Sequence, residues 1–532
     1  MQTTARDVDS PGDIPHDAPH VAPAEAPAHR PTATRRGFLS RALAGAAVAV
    51  GGPAAAHAQG RRPRRSRAEA VAEELASGGF ASVVAAPGEW ASATTRLVRR
   101  ATLGLRNADV AAAKAQGYQV WLQSQLDYQR IDTATLDAQV AALWPLLSQD
   151  VNTLFSQQQN VVRTSLQSAW IHRAVLSPRQ LYERMVEFWT DHFNIEIAKV
   201  GYLKVVDDRD VIRKHALGKF PALLKASAKS PAMLAYLDQT VSRVGAPNQN
   251  YARELLELHT VGVDNGYTQD DVAELSRVLT GWTIQGRGNF VFNPALHDWG
   301  QKVVMGVTIP AGSPSLGAAG IAEGEQLVDM LAAHPNTARF IATKLLKWFI
   351  TPEPSAGQVS AIASVFRVTG GDMKLVVRAV LNSGWVATAP AKFKRPFHLL
   401  VSALRGSNAL VTNAAVINPQ LVVLGQPLYV WETPDGYPDL LEYWAGNLMP
   451  RWQFASTVAN LRSSSITVDS APYLTGTPDA AIDLIDTNFF GGEMGLATRT
   501  VLLDYLKAGT FNDQRVRDVL SLAIASESYQ WY

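Results

Sequence analysis

The sequence predicts a mainly α-helical protein, one large multi-helix globular domain with a small β-hairpin insert near residues 290–309. Three observations lead there. Capped apolar periods of roughly 3.6 residues recur along the chain after Trp90. Extended-looking runs are confined to Phe290–Phe292 and Val303–Ile309, joined by Asn293–Lys302. Charged residues make up 18% of 532 and hydrophobic residues 47%; against the usual ~25% charged, this suits a well-buried helical chain better than a solvated, disordered one.

The chain opens with a polar leader rich in Pro, Ala and His, then Thr34-Arg35-Arg36-Gly37-Phe38-Leu39-Ser40, the apolar run Ala42–Val50, and Ala56-His57-Ala58. Paired arginines, a short apolar segment and a small-x-small cleavage site read as a twin-arginine export signal over residues 1–58. The expected partner is therefore the twin-arginine translocation machinery, and the expected location is periplasmic or extracellular, with the mature chain beginning near Gln59. The apolar segment is too short to cross a bilayer, and no later run approaches the ~20 apolar residues a span needs. Residues 59–89, with Arg61-Arg62-Pro63-Arg64-Arg65-Ser66-Arg67, read as a basic flexible linker, and 90–532 as a single helical domain.

Within that domain, Thr94–Leu105 and Asn107–Leu126 carry helical patterning. Ser177-Pro178-Arg179-Gln180 supplies a serine cap, a proline at the first helical position and a capping-box glutamine, predicting a helix to about Phe193. Leu181, Met185, Phe188 and His192 form its apolar stripe, while Glu187 and Asp191 share another face. Ser230 starts a further helix with Asp238 near its end. Pro247–Trp282 then reads as a helical hairpin: Asn248 caps a helix to about Thr260 that Gly262 ends, and Thr268, with Asp271 three residues on, caps a second that Gly281 closes. Asn250, Arg253, Glu254 and Glu257 fall on one face of the first helix; Ala252, Leu255, Leu256 and His259 fall opposite. His334-Pro335 opens a helix through Phe349 that carries Lys344 and Lys347. Lys394-Arg395-Pro396 starts another with cations where negative charge is preferred, which calls for an anion or a carboxylate partner, an internal salt bridge being the favoured answer. Leu424–Pro438 holds too many Pro and Gly for regular structure.

The central hairpin, together with FWTDHF (Phe188–Phe193), LHDWGQK (Leu296–Lys302), KRPF (Lys394–Phe397) and LGQPLYVWETPDGYP (Leu424–Pro438), resembles the bacterial family catalogued as domain of unknown function 1800. The five motifs stand in the family's order and cover most of the chain after Trp90. The commoner form of the tryptophan motif has His-Asn where this chain has Thr190-Asp191. The resemblance implies no activity.

Composition narrows the chemistry. With no cysteine, thiolate nucleophiles and cysteine-ligated centres are excluded, so any metal must be held by His or carboxylate. A net charge of +2 gives no reason to expect nucleic acid. Phosphate loops, nucleophile elbows, zinc helices and dinucleotide fingerprints are absent. A composite site remains. His192, His259 and His297 are candidate metal ligands or acid–base groups, with Asp298, Glu254 and Glu257 as candidate catalytic carboxylates. Arg253, Lys302, Gln426, Trp431, Asp435 and Tyr437 are candidate substrate contacts. The competing reading places Arg253, Glu254, Glu257, Arg277 and Lys302 in buried ion pairs that lock the helices. The sequence thus supports an exported metal-dependent or acid–base enzyme acting on a small molecule or a cell-envelope polymer, or else a non-catalytic envelope protein that binds or assembles through its aromatic C-terminal cleft.

Overall fold

The structure is a computed structural model that describes residues 90–532; the twin-arginine segment and basic linker lie outside the described residues. The described residues all belong to one compact unit.

Helices dominate, as composition and periodicity require. They include α1 (Ala93–Ala101), α2 (Gln159–Leu176), α3 (Gln180–His192), α4 (Gln249–Glu254), α5 (Gln269–Val278), α6 (Ile321–Ala333), α7 (Pro335–Phe349) and α8 (Pro396–Gly406). The predicted caps at Asn248, Thr268 and His334 form: Asn248 accepts from the N–H of Asn250, Thr268 and Asp271 make a reciprocal capping box, and the His334 ring accepts from Asn336 N–H. The helix of α4 widens to π-type winding over Leu255–His259 before Gly262, at φ +93°, turns the chain away. Ser177 does not cap α3. Its hydroxyl accepts from Arg179 N–H, and the helix starts two residues later than its proline suggested, because Arg179 stands at φ −85°, ψ 58°, outside the helical well.

The predicted hairpin insert is instead two hairpins. β1 (Trp282–Gln285) pairs antiparallel with β2 (Asn289–Phe292), and β3 (Lys302–Val304) pairs with β4 (Val307–Ile309). The two extended runs do not pair with each other: each folds back on its nearest neighbour across a tight turn, Met305-Gly306 with both φ positive in the second. A third antiparallel pair joins β5 (Leu410–Val411) to β6 (Ile466–Thr467).

Two apolar cores form within this unit. Trp189, Phe193, Phe220, Tyr251, Leu255, Trp282 and Trp348 belong to the first. Trp170, Phe397, Leu400, Tyr429, Phe454 and Val519 belong to the second. α3 packs its Leu181–Met185–Phe188 stripe into the first core and turns its acidic face toward the second. That seam between the cores is where the FWTDHF, KRPF and Leu424–Pro438 motifs meet. Among the described residues, no helix is long and apolar enough to cross a membrane.

Candidate functional site

On the acidic face of α3, Glu187 and Asp191 are one helical turn apart, so a single group can serve both. That group is Arg395, which precedes α8: its Nη1 lies 2.6 Å from Asp191 Oδ2 and its Nη2 binds Glu187 Oε1. Arg184 holds the other Glu187 oxygen at 2.8 Å. Both guanidinium groups lie over Trp348 of α7, at 4.5 Å for Arg184 and 4.6 Å for Arg395. The expected internal salt bridge is thus Arg395's, with Asp191 of the tryptophan motif and Glu187 just before it as its partners.

The third motif closes this arrangement. Asn194 donates to the carbonyls of Trp431 and Thr433 at 2.9 and 2.8 Å, Gln426 accepts from Phe397 N–H at 2.8 Å, and the Tyr437 hydroxyl donates to Pro427 O. Gly436 sits at φ +77°, where a β-carbon would collide with the Asp191 carbonyl, so the position has space for glycine alone. Between the motifs remains a cavity of about 10 Å³, lined by Thr190, Asp191, Arg395, Gln426, Tyr429 and Tyr437; that is room for about one water molecule. The Thr190 hydroxyl is buried there without a protein partner.

Electrostatics single out two groups. Burial pushes the Asp191 carboxyl up to about 6, Arg395 opposing this and Glu187 adding to it. Lys344, half-buried on α7, makes no ion pair within 4.0 Å among the described residues; burial pulls its ammonium down to about 8 against the pull of Asp191 and Asp435. A carboxylate and an amine are thereby poised on either side of neutrality, the pattern that acid–base chemistry needs.

His192 and His259 do meet, with ring centroids 6.2 Å apart and His192 Nε2 donating to the His259 carbonyl at 3.2 Å. Both are buried among Phe193, Phe188, Trp189 and Phe340. Burial holds His192 well below the ordinary imidazole range and His259 down to about 3, with Lys344 adding repulsion, so both are neutral at physiological pH. His297 stands elsewhere. Its Nδ1 donates to Thr280 O at 2.8 Å and its Nε2 lies 3.2 Å from Glu323, which also holds Lys302 at 2.6 Å. Asp298 pairs with Arg277 at 2.8 Å. The three histidines therefore do not form one centre, and no group of three His, Asp or Glu among the described residues is placed to hold a metal.

The central helix contributes less than its load of charge suggested. Arg253 and Glu257 face each other at 3.6 Å with side chains 37% and 17% exposed, so they form a solvent-screened pair rather than a buried lock. Glu254 lies on the same partly exposed face, near enough for its charge to act on Tyr236. Of that proposed lock, Lys302 is the buried member, and it pairs with Glu323 of α6. Trp431 donates to Asp435 at 3.1 Å and begins an aromatic shelf: Trp431 to Tyr437 at 4.9 Å, Trp431 to Tyr443 at 5.7 Å, Tyr443 to Trp444 at 4.5 Å between centroids.

Residues 96–531 match the family described as Protein of unknown function (DUF1800). The chain belongs to the DUF1800 family. No curated protein and no solved structure matches it. In this DUF1800 domain the tryptophan, KRPF and Gly-Tyr-Pro motifs converge on one cavity, while LHDWGQK organises a separate ion-pair cluster around Glu323. Lys344 belongs to none of the motifs. Its signal in the sequence is its position one turn from both Phe340 and Trp348, a lysine on an otherwise aromatic stripe.

Proposed function

We propose that this exported protein performs acid–base chemistry on a hydroxyl-rich small molecule or cell-envelope polymer, with Asp191 as the general base and Lys344 as the general acid. The observation that carries this reading is an acid, Asp191, raised to about 6 where three motifs converge, with an amine, Lys344, lowered to about 8 and near enough for the two charges to act on each other. At neutral pH the carboxylate is then mostly ionised and the amine mostly protonated, each close enough to its midpoint to exchange a proton readily. Arg395 and Glu187 position Asp191; the neutral His192 and His259 wall off the site on the core side. The shelf of Trp431, Tyr437, Tyr443 and Trp444 leads from the cavity to the surface, and aromatic faces suit the C–H faces of sugar rings. Export rests on the Arg35-Arg36 signal, which brings the twin-arginine machinery in as partner. No step here runs through a metal.

A second reading has its own support. Leu440, Leu448, Met449 and Trp452, from 46% to 59% exposed, continue the shelf across the surface, as a non-catalytic envelope-binding protein would present.

The test uses purified full chain incubated with isolated peptidoglycan sacculi and with a neutral exopolysaccharide, soluble fragments being separated by chromatography. The expected result is product release with a bell-shaped pH profile whose flanks lie near 6 and 8, abolished in Asp191→Asn and in Lys344→Met while both remain folded. Release that persists in both variants refutes the assignment. Retention of polymer without turnover establishes the binding reading instead.

A further inference from the structure

Lys394 and Arg395 are neighbours in one motif but meet opposite environments. Arg395 finds two carboxylates. Lys394 is buried, with its Nζ 3.5 Å from the Tyr529 ring centroid and, among the described residues, no carboxylate within 4.0 Å. It faces a second small cavity, of about 10 Å³, whose lining includes Arg99, Lys394, His398, Tyr529 and Trp531. His398, in the first turn of α8, is buried with neither ring nitrogen hydrogen-bonded. Arg99 of α1 binds Phe490 O and stands 3.3 Å from Glu493, but its Nε is buried without a partner. Behind Lys394, Arg451 donates to Gln530 Oε1 at 3.1 Å and to Lys394 O at 2.8 Å, again leaving Nε without a partner.

Of these three buried cations, Arg99, Lys394 and Arg451, Arg99 alone has a carboxylate within 4.0 Å among the described residues, Glu493. Guanidinium groups do not give up their protons, so their charge persists, and buried charge is stable only when compensated. The positive end of α8 adds to the potential around His398. Burial, with repulsion from Arg99 and Arg451, drives the Lys394 amine well below its ordinary range, a direction that a negative charge in the cavity reverses.

We infer that this cavity binds a monoatomic inorganic anion of about the size of chloride, with Lys394 and His398 as its direct ligands and Arg99 and Arg451 supplying the surrounding positive potential. Size decides against polyatomic anions. The volume suits a single water-sized particle, and a tetrahedral oxyanion such as phosphate does not fit. The site is distinct from that of Asp191 and stands whatever reaction occurs there.

Two measurements on the full chain test the inference. Crystals soaked in sodium bromide are expected to show an anomalous bromine peak within hydrogen-bonding distance of Lys394 Nζ. Wild-type protein is expected to melt higher in chloride than in gluconate at equal ionic strength; at chloride ten times its Kd, the folding equilibrium constant rises about 11-fold. Lys394→Met is expected to erase that difference. A cavity holding only water in bromide, with no anomalous signal, overturns the inference, as does an equal chloride effect in wild type and Lys394→Met. Should Lys394→Met fail to fold, the bromide experiment on wild type decides alone.

Discussion

Replacing Asp191 by Asn is the sharpest test of whether the seam is a working site or a brace. In the folded state burial raises Asp191 from its ordinary 3.8 to about 6 even though Arg395 lies 2.6 Å away. Below about pH 4 the group is protonated in both folded and unfolded chains and contributes nothing. Between about pH 4 and 6 the folded state keeps a proton that the unfolded state has lost, so stability falls as pH rises; above 6 the full cost remains. At ~1.4 kcal/mol per pH unit that cost is about 3 kcal/mol. Asn keeps the oxygen that accepts from Arg395 and removes the charge. Asp191→Asn is therefore expected to be more stable than wild type at pH 7 by up to about 3 kcal/mol, and to lose the decline between pH 4 and 6. With an unfolding entropy of about 2.1 cal/mol/K per residue, about 440 residues give roughly 0.9 kcal/mol/K, so Tm should rise by about 3 °C. The assay is guanidinium denaturation at half-unit pH steps from 4 to 8. A variant less stable than wild type by more than ~1 kcal/mol at pH 7, or with an unchanged slope between pH 4 and 6, refutes the reasoning and makes Asp191 a structural ion.

Arg395→Met is expected to have the opposite effect, destabilising the domain by about 3–5 kcal/mol in the same titration, because it leaves Glu187 and Asp191 buried without their shared cation. Glu257→Gln should change stability by less than about 0.5 kcal/mol, since its partner Arg253 is solvent-screened; a larger loss by denaturation would show a buried role that the 3.6 Å pair does not display. Replacing both Arg35 and Arg36 by Lys should hold the precursor in the cytoplasm, read by cell fractionation, because the receptor distinguishes paired guanidinium groups from ammonium groups; undiminished export would remove the basis for the envelope setting.

How much the sequence disclosed depends on the range of each interaction. Caps are local, and Asn248, Thr268 with Asp271, and His334 were legible because donor and acceptor lie two or three residues apart. The faces of α3 and α4 were legible for the same reason: His192 and His259 fall inward, and Glu187 and Asp191 fall together. Strand pairing was not, because alternation locates an extended run without naming its partner. Trp282 read as the residue just past a helix, and nothing in the sequence signalled that Gly286 and Gly288, at φ +63° and +140°, let it start a strand that folds back on Phe292. Nor could periodicity say that His297 points to Glu323 while His192 points to His259, since convergence of faces is set by tertiary packing. Lys344 was legible as a helix residue but not as a site residue, because a lysine on a helix is ordinarily a solvated charge, and its burial beside Phe340 is set by tertiary packing.

The charge arrangement at the seam itself argues against a purely mechanical role. Arg184 and Arg395 match Glu187 and Asp191 one for one, so the cluster is neutral before Lys344 is added. A brace gains most when each member is fully ionised at the working pH, and selection for rigidity would bury Asp191 no further than its pairing with Arg395 can compensate. Here desolvation outweighs that pairing and leaves the carboxyl titrating near 6, within reach of neutrality. Lys344, near enough for its charge to act on Asp191, stands half-buried and makes no salt bridge within 4.0 Å among the described residues. Two groups whose charges act on each other and that are both held close to neutrality are hard to derive from stability alone. They follow directly if the seam is where protons move.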